Sequence, residues 1–252
     1  QAFDFMNRAI TFYKIIQSGL HGRVINTLRN LYTKTVFRVK HEGKLSEKIR
    51  QFIGVNQGGN ASPTIFKKYL CDMKEYLREY TGVVLSEDEI LVYLLWADDL
   101  INVSTNVQDA QKQLDGVAKF ASKNKAIANS IKTKFTVFGN IKNVKLYFNG
   151  KAIEEVPSYK YLGNIFASTK TNKGDPFAEN YQYLYDKAQK NIFSLFSKTK
   201  DISPLSPRLR IYLFDSLIRP VLIYGSGVWG ISKKGRDTMD KLHLWYMRIV
   251  LG

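Results

Sequence analysis

The chain has 252 residues, 44% of them hydrophobic and 13% aromatic, which is enough to bury a sizeable core and too apolar for a disordered segment. Thirty-eight Lys and Arg against 22 Asp and Glu leave a net charge of +16 and a pI near 9.7, a balance that points to a polyanionic partner. No apolar run approaches the roughly 18 residues of a membrane span, and the single cysteine, Cys71, excludes an intrachain disulfide and fits a reducing compartment.

Gln1-Ala2-Phe3-Asp4 carries neither an initiator Met nor a signal-peptide pattern, so the start, like the end at Gly252, reads as a cut inside a longer protein. Residues 4–18 place Phe5, Ile10, Phe12, Tyr13, Ile15 and Ile16 at helical spacing, and a second helix is predicted over Gly22–Tyr32. A strand over Thr35–Val39, a turn at Glu42-Gly43 and a weaker return strand over Leu45–Phe52 follow. The loop Gly54-Val55-Asn56-Gln57-Gly58-Gly59-Asn60-Ala61-Ser62-Pro63 leads into a helix over Thr64–Tyr80, with Pro63 suited to its first turn. This loop lacks both the Gly-Lys-Ser/Thr ending of a phosphate-binding loop and the dinucleotide-binding glycine pattern. Cys71 reads as a small buried apolar residue.

Two adjacent carboxylates, Asp98-Asp99, stand between the apolar runs Ile90–Ala97 and Leu100–Val103, a pattern that predicts a buried β-hairpin with an acidic turn. Burying both charges costs several kcal/mol unless a cation compensates, and a hard divalent ion suits carboxylate oxygens; the alternative is an ordinary exposed turn. Further on, a helix is predicted over Asn106–Lys125, strands over Thr133–Phe138 and Tyr159–Phe166, with Gly163 as a bulge, and a hairpin over Lys145–Ile153 around Asn149-Gly150. From about 180 the chain reads as helical (180–198, 207–226, 234–251), with a domain boundary in Lys170–Asp175. No strongly amphipathic basic helix offers a membrane-insertion face, so nucleic acid is the favoured partner. His21, His41 and His243 make no zinc pattern.

The loop Gly54–Pro63 and the tetrad Trp96-Ala97-Asp98-Asp99 together resemble the core of reverse transcriptases of non-LTR (LINE-type) retrotransposons, which show Gly-Val-Arg-Gln-Gly-(Asp/Cys)-Pro-Leu-Ser-Pro and then (Tyr/Phe)-Ala-Asp-Asp. Ala2-Phe3-Asp4 looks like the tail of that family's first catalytic motif, Asn129-Ser130-Ile131-Lys132-Thr133 like its Asn-x-x-Lys-Thr segment, and Tyr159-Lys160-Tyr161-Leu162-Gly163 like its primer grip. Tyr224-Gly225-Ser226-Gly227-Val228-Trp229-Gly230 resembles a segment that follows the thumb helices.

The resemblance implies an α+β fold, a polymerase palm with an antiparallel sheet backed by helices and then an all-helical thumb. It divides the chain into a partial fingers/palm domain, truncated at its N-terminus, over 1–170 and a helical thumb with the start of a connection region over 171–252. It implies RNA-directed DNA polymerisation with two Mg²⁺ ions, Mn²⁺ being a substitute, and with Asp98 and Asp99 as metal-binding catalytic carboxylates. Lys132 would protonate or neutralise the pyrophosphate leaving group. Phe3, Gln57 and Gly58 would meet the incoming nucleotide, with the Phe3 ring excluding a 2′-hydroxyl, and Tyr161, Leu162 and Gly163 would position the primer end. Lys187, Lys190, Arg208 and Arg210, among further basic residues that include Lys198, Lys200, Lys233, Lys234 and Arg236, would track the backbone of an RNA–DNA hybrid.

Partners are then an RNA template, a DNA primer, their hybrid and dNTPs, with no membrane; localisation is intracellular, the nucleus for an active element. The family's first catalytic aspartate would precede Gln1 by three residues, which leaves two of three metal-binding carboxylates here and little activity for the fragment alone. Asn56 replaces the usual Arg and its phosphate contact, Gly59-Asn60 replace Asp-Pro or Cys-Pro, and Trp96 replaces Tyr or Phe. The alternatives are a non-catalytic nucleic-acid-binding remnant of such an element, or a group II intron maturase-like protein with the same core and different flanks.

Overall fold

The computed structural model describes residues 2–78, 82–168, 175–199 and 205–251. Lys200 and nearly all of the Lys170–Asp175 boundary lie outside the described residues. The chain forms two compact units, one of residues 1–133 and 145–153, the other of 134–144 and 154–252. The second unit therefore takes in residues that the sequence groups with the palm.

In the first unit, the helices Ala2–Phe5 and Arg8–Gln17 are parted at Asn7, whose side chain caps the second helix by accepting from the Ile10 amide at 3.0 Å. The helix Gly22–Thr33 is capped by His21, whose Nδ1 accepts from the Arg23 amide. The helix predicted over Thr64–Tyr80 is two shorter ones, Ser62–Tyr69 and Met73–Leu77. Tyr69 and Met73 are buried on either side of the break while Cys71 is exposed within it, which overturns the expectation of a buried Cys71. The break turns Tyr69 and Met73 inward, so the apolar surface is buried without the thiol.

The helix Val107–Asn124 has the caps its sequence announces: Asn106 accepts from the Asp109 amide at 2.8 Å, and Lys125 closes it in the left-handed conformation. Its buried stripe includes Gln113, Gly116, Phe120, Ala121 and Asn124. The polar members are bonded: Gln113 donates to the Val103 carbonyl at 2.9 Å, and the Asn124 carbonyl accepts from the Tyr69 hydroxyl at 2.9 Å. The side chain of Gln111 bonds both the amide and the carbonyl of Tyr147 at 2.8 Å, which docks the hairpin Tyr147–Phe148/Lys151–Ala152 onto this helix. One core gathers Met6, Ile15, Ile25, Tyr32, Val55, Ile65, Phe66 and Tyr69, and a smaller one Met73, Leu77 and Phe120.

In the second unit, Tyr181, Leu184, Ala188, Ile192, Phe214, Ile218, Leu222, Trp229, Met239, Leu242, Tyr246 and Val250 make one core among the helices Ala178–Thr199, Pro207–Leu213, Arg219–Leu222, Ser226–Trp229 and Lys233–Leu251. Between Leu213 and Arg219 the chain takes a π-helical turn, Phe214–Ile218. Pro220 follows at once; having no amide hydrogen and a ring that crowds the preceding turn, it suits a widened stretch of helix. Predicted as a single strand, Tyr159–Phe166 is instead a hairpin, Ser158–Tyr161 against Asn164–Ala167, because Leu162 (φ +46°) and Gly163 (φ +86°) reverse the chain.

The α+β class holds, with helices and small sheets that are mostly antiparallel. Among the described residues the strands pair only in twos, and one pair, Lys134–Phe135 with Glu154–Glu155, is parallel. No helix among them is long and apolar enough to cross a membrane.

Candidate active site

The loop after the short strand Ile49–Arg50 is clamped to the N-terminal helix. The Val55 amide donates to the Phe3 carbonyl and the Gly54 amide to the Met6 carbonyl, both at 2.8 Å. Gly54 has φ +75°, and a Cβ there would lie 2.6 Å from the Phe3 carbonyl oxygen, so only glycine permits this approach. Beneath the loop lies Arg8, which is 9% exposed. Its Nε donates to the Gly54 carbonyl and one terminal nitrogen to the carbonyls of Tyr32 and Gln51, all at 2.6 Å, while the guanidinium sits 5.3 Å from the Tyr32 ring centroid. Burial lowers the Arg8 pKa from its ordinary value, and the Tyr32 side chain opposes that shift. The sequence reading missed Arg8; its signal was an arginine on the same helical face as Thr11 and Ile15, the other two buried residues of Arg8–Gln17.

Above this clamp Phe3 stacks on Phe66, with ring centroids 4.4 Å apart and planes 18° from parallel. Phe3, Gln57 and Gly58 then line one cleft of about 440 Å³ with Gly59, Asn60, Ser62 and Pro63, within the size range of small-ligand sites. The Gln57 amide lies 3.5 Å from an Asp4 carboxylate oxygen, leaving its side chain largely exposed in the cleft. The three residues assigned to the nucleotide are thus brought together.

Asp98 and Asp99 occupy the tip of a hairpin. Tyr93–Trp96 pairs with Asp99–Asn102 in the register Tyr93↔Asn102 to Trp96↔Asp99, leaving Ala97 and Asp98 as the turn, with Ala97 at φ +52°. Ile90 and Leu91, predicted in the same run, belong instead to the strand Glu89–Leu91, which pairs with Val83–Ser86. Both aspartates are exposed, which corrects the expectation of a buried acidic turn. The reason is local: Trp96 is 67% exposed and Leu94 43% exposed, so the strands carry the turn into solvent instead of under a core. Two neighbouring carboxylates offer the hard oxygen donors that Mg²⁺ prefers and suit part of a ligand set. Among the described residues no third Asp, Glu, His or Cys joins them.

Lys132 is exposed in a turn built by Asn129, whose side-chain oxygen accepts from the amides of Ile131 and Lys132 at 3.0 and 3.2 Å. In the second unit Tyr161 is half-buried, Leu162 and Gly163 form the reversing turn, Lys187, Lys190 and Arg208 are exposed, and Arg210 is half-buried, its carbonyl accepting from the Tyr246 hydroxyl at 2.9 Å. A basic contact absent from the sequence reading also appears. Lys160 donates to the Tyr183 hydroxyl at 2.8 Å and lies 4.3 Å from its ring centroid, with Lys187 on the same ring at 5.9 Å. The hydrogen bond from Lys160 lowers the Tyr183 pKa; burial opposes it, and the charges of Lys160 and then Lys187 add to the lowering.

The chain thus carries a tight glycine-bearing loop over a stacked aromatic, paired carboxylates on a hairpin, and a helical unit with exposed basic residues. It belongs to the reverse transcriptase family: residues 1–166 match the family described as reverse transcriptase (RNA-dependent DNA polymerase). The RNA-directed DNA polymerase from mobile element jockey of Drosophila melanogaster is 24% identical over 98% of this chain, and a transposon-derived protein of Caenorhabditis elegans is 24% identical over 64% of it. The chain spans 28% of the length of the first relative and 57% of the second. The resemblance to LINE-type reverse transcriptases drawn from the motifs agrees with both.

Proposed function

We propose that the chain provides palm and thumb elements of an RNA-directed DNA polymerase encoded by a LINE-type element, which extends a DNA primer along an RNA template. The observation that carries this reading is the convergence of Phe3, Gln57 and Gly58 on one cleft, with Phe3 held flat by Phe66 and the loop held from below by Arg8. In this reading the Phe3 ring lies against the sugar of the incoming dNTP and leaves no room for a 2′-hydroxyl, Gln57 bonds the nucleotide, and Gly58 lets the backbone approach it.

Asp98 and Asp99 would hold the Mg²⁺ ions, or Mn²⁺ in their place; bound metal supplies Lewis-acid stabilisation of the transferring phosphoryl group. Lys132, exposed and held by the Asn129 turn, donates a proton or positive charge to the departing pyrophosphate. Tyr161, Leu162 and Gly163 seat the primer terminus. Lys187, Lys190, Arg208 and Arg210 attract the hybrid backbone without reading sequence, so affinity falls steeply with salt.

The departures at Asn56, Gly59-Asn60 and Trp96 favour one second reading, a nucleic-acid-binding remnant without catalysis. Primer extension by the full-length polypeptide on poly(A)/oligo(dT) with Mg²⁺ separates the two. The expected result is product from the unsubstituted protein and none from Asp98→Asn, with primer–template affinity changed by less than about twofold since only a metal ligand is altered. Extension retained by Asp98→Asn overturns the catalytic assignment, and no product from the folded, unsubstituted protein favours the remnant.

A further inference from the structure

The Leu162–Gly163 turn and the strand that follows it are held by two other segments of their unit. Across 62 residues of sequence, the Tyr224 hydroxyl donates to the Leu162 carbonyl at 2.6 Å. A Cβ on Gly163 would lie 2.8 Å from the Tyr224 ring, and one on Gly225 would overlap the Asn164 amide, so the two segments meet glycine to side chain in both directions. The strand that follows the turn, Asn164–Ala167, is held by the fully buried Asn180 from the helix Ala178–Thr199, which accepts from the Ile165 amide at 2.8 Å and donates to the Asn164 side chain at 3.4 Å. Tyr224 is itself anchored, its carbonyl accepting from the indole of the buried Trp229 at 2.7 Å.

Such a grip both stabilises this hairpin and holds it in one orientation. A two-stranded hairpin is marginal alone in water, and a leucine at φ +46° persists only where its surroundings hold it. We propose that Tyr224 and Asn180 are positioning residues for the primer end. They fix the Leu162–Gly163 turn to the helical core, so that the turn meets a primer terminus in one pose. The assignment rests on reading residues 161–163 as the primer-end contact. It joins two motifs far apart in the chain, Tyr159–Gly163 and Tyr224–Gly230, into one device.

The test uses the full chain and two probes, a DNA primer recessed on an RNA template and the same hybrid with a blunt end, with binding followed by fluorescence anisotropy. The unsubstituted chain should prefer the recessed probe. Tyr224→Phe keeps the ring against Gly163 and removes the hydroxyl; it should reduce the recessed-over-blunt preference about three- to tenfold, the factor for one net hydrogen bond, while the thermal midpoint falls by no more than about 2–4 °C and the chain stays folded at the assay temperature. Gly163→Ala, which alters the turn itself, serves as the reference. A preference lost in Gly163→Ala and intact in Tyr224→Phe overturns the positioning role and leaves the primer-end reading standing. A preference missing from the unsubstituted chain, or untouched by both substitutions, overturns the primer-end reading and the proposal with it.

Discussion

Replacing Arg8 with Met keeps an unbranched side chain of similar reach and removes every hydrogen bond that the guanidinium makes to the loop. Three carbonyls lose a charged donor at 2.6 Å: Gly54 and Tyr32, which are buried, and Gln51, which is half-buried and regains water. Each buried carbonyl left unpaired costs about 1–3 kcal/mol, which gives about 2–6 kcal/mol for the two. Releasing the guanidinium from its burial offsets part of this, the more so because its other terminal nitrogen has no partner among the described residues. A net loss near 3 kcal/mol follows, which for a chain of this size lowers the melting transition that involves the first unit by about 6–12 °C. Arg8→Lys should recover only part of it, since a single ammonium lacks the fork that reaches carbonyls on three segments. Thermal unfolding followed by circular dichroism reads the midpoints, and dNTP affinity reads the loop, which should bind more weakly in both variants as Gln57 and Gly58 lose their support. An Arg8→Met chain whose midpoint stays within about 2 °C of the unsubstituted one, corresponding to the roughly 0.5 kcal/mol of an ordinary surface substitution, would refute the clamp.

Two further outcomes concern tyrosines. Burial pushes the hydroxyls of Tyr69 and Tyr181 up to about 12 from an ordinary value of 10.0, with Asp175 adding to the shift at Tyr181. The unfolded chain therefore releases these protons before the folded one does, so stability is fully present below about pH 10 and declines as pH rises toward 12. Denaturant titrations across that window should show the decline, and Tyr69→Phe or Tyr181→Phe should flatten it; an unchanged slope in both speaks against the burial argument. Tyr183 behaves oppositely, and ultraviolet titration should find one phenol that ionises below its ordinary value because Lys160 donates to it. Lys160→Met should return it upward, and a Tyr183 titration indifferent to that change removes the contact.

Much of the local structure was legible because its causes lie within a few residues. Asn106 and Asp109 mark the start of Val107–Asn124 by capping chemistry, and Asn149-Gly150, at φ +50° and +74°, turns the hairpin that those residue types favour. Leu162-Gly163 escaped the same rule because leucine rarely takes a positive φ, and what holds it there, the Tyr224 hydroxyl, is remote in sequence. Cys71 was misread because helical periodicity does not show where a helix breaks, and the exposure of the Asp98 turn depends on how little its flanking strands bury.

By itself the sequence determined the membership of this chain in the reverse transcriptase family and the caps and turns of several elements, because motif spacing and local propensity are properties of contiguous stretches. Only the tertiary structure decided that Phe3 and Gln57 share a cleft, that the buried cation Arg8 holds three segments together, and that Tyr224 holds the Leu162–Gly163 turn while Asn180 holds the strand after it. Those hydrogen bonds join residues from 15 to 62 positions apart and depend on distance in space, which no local pattern encodes.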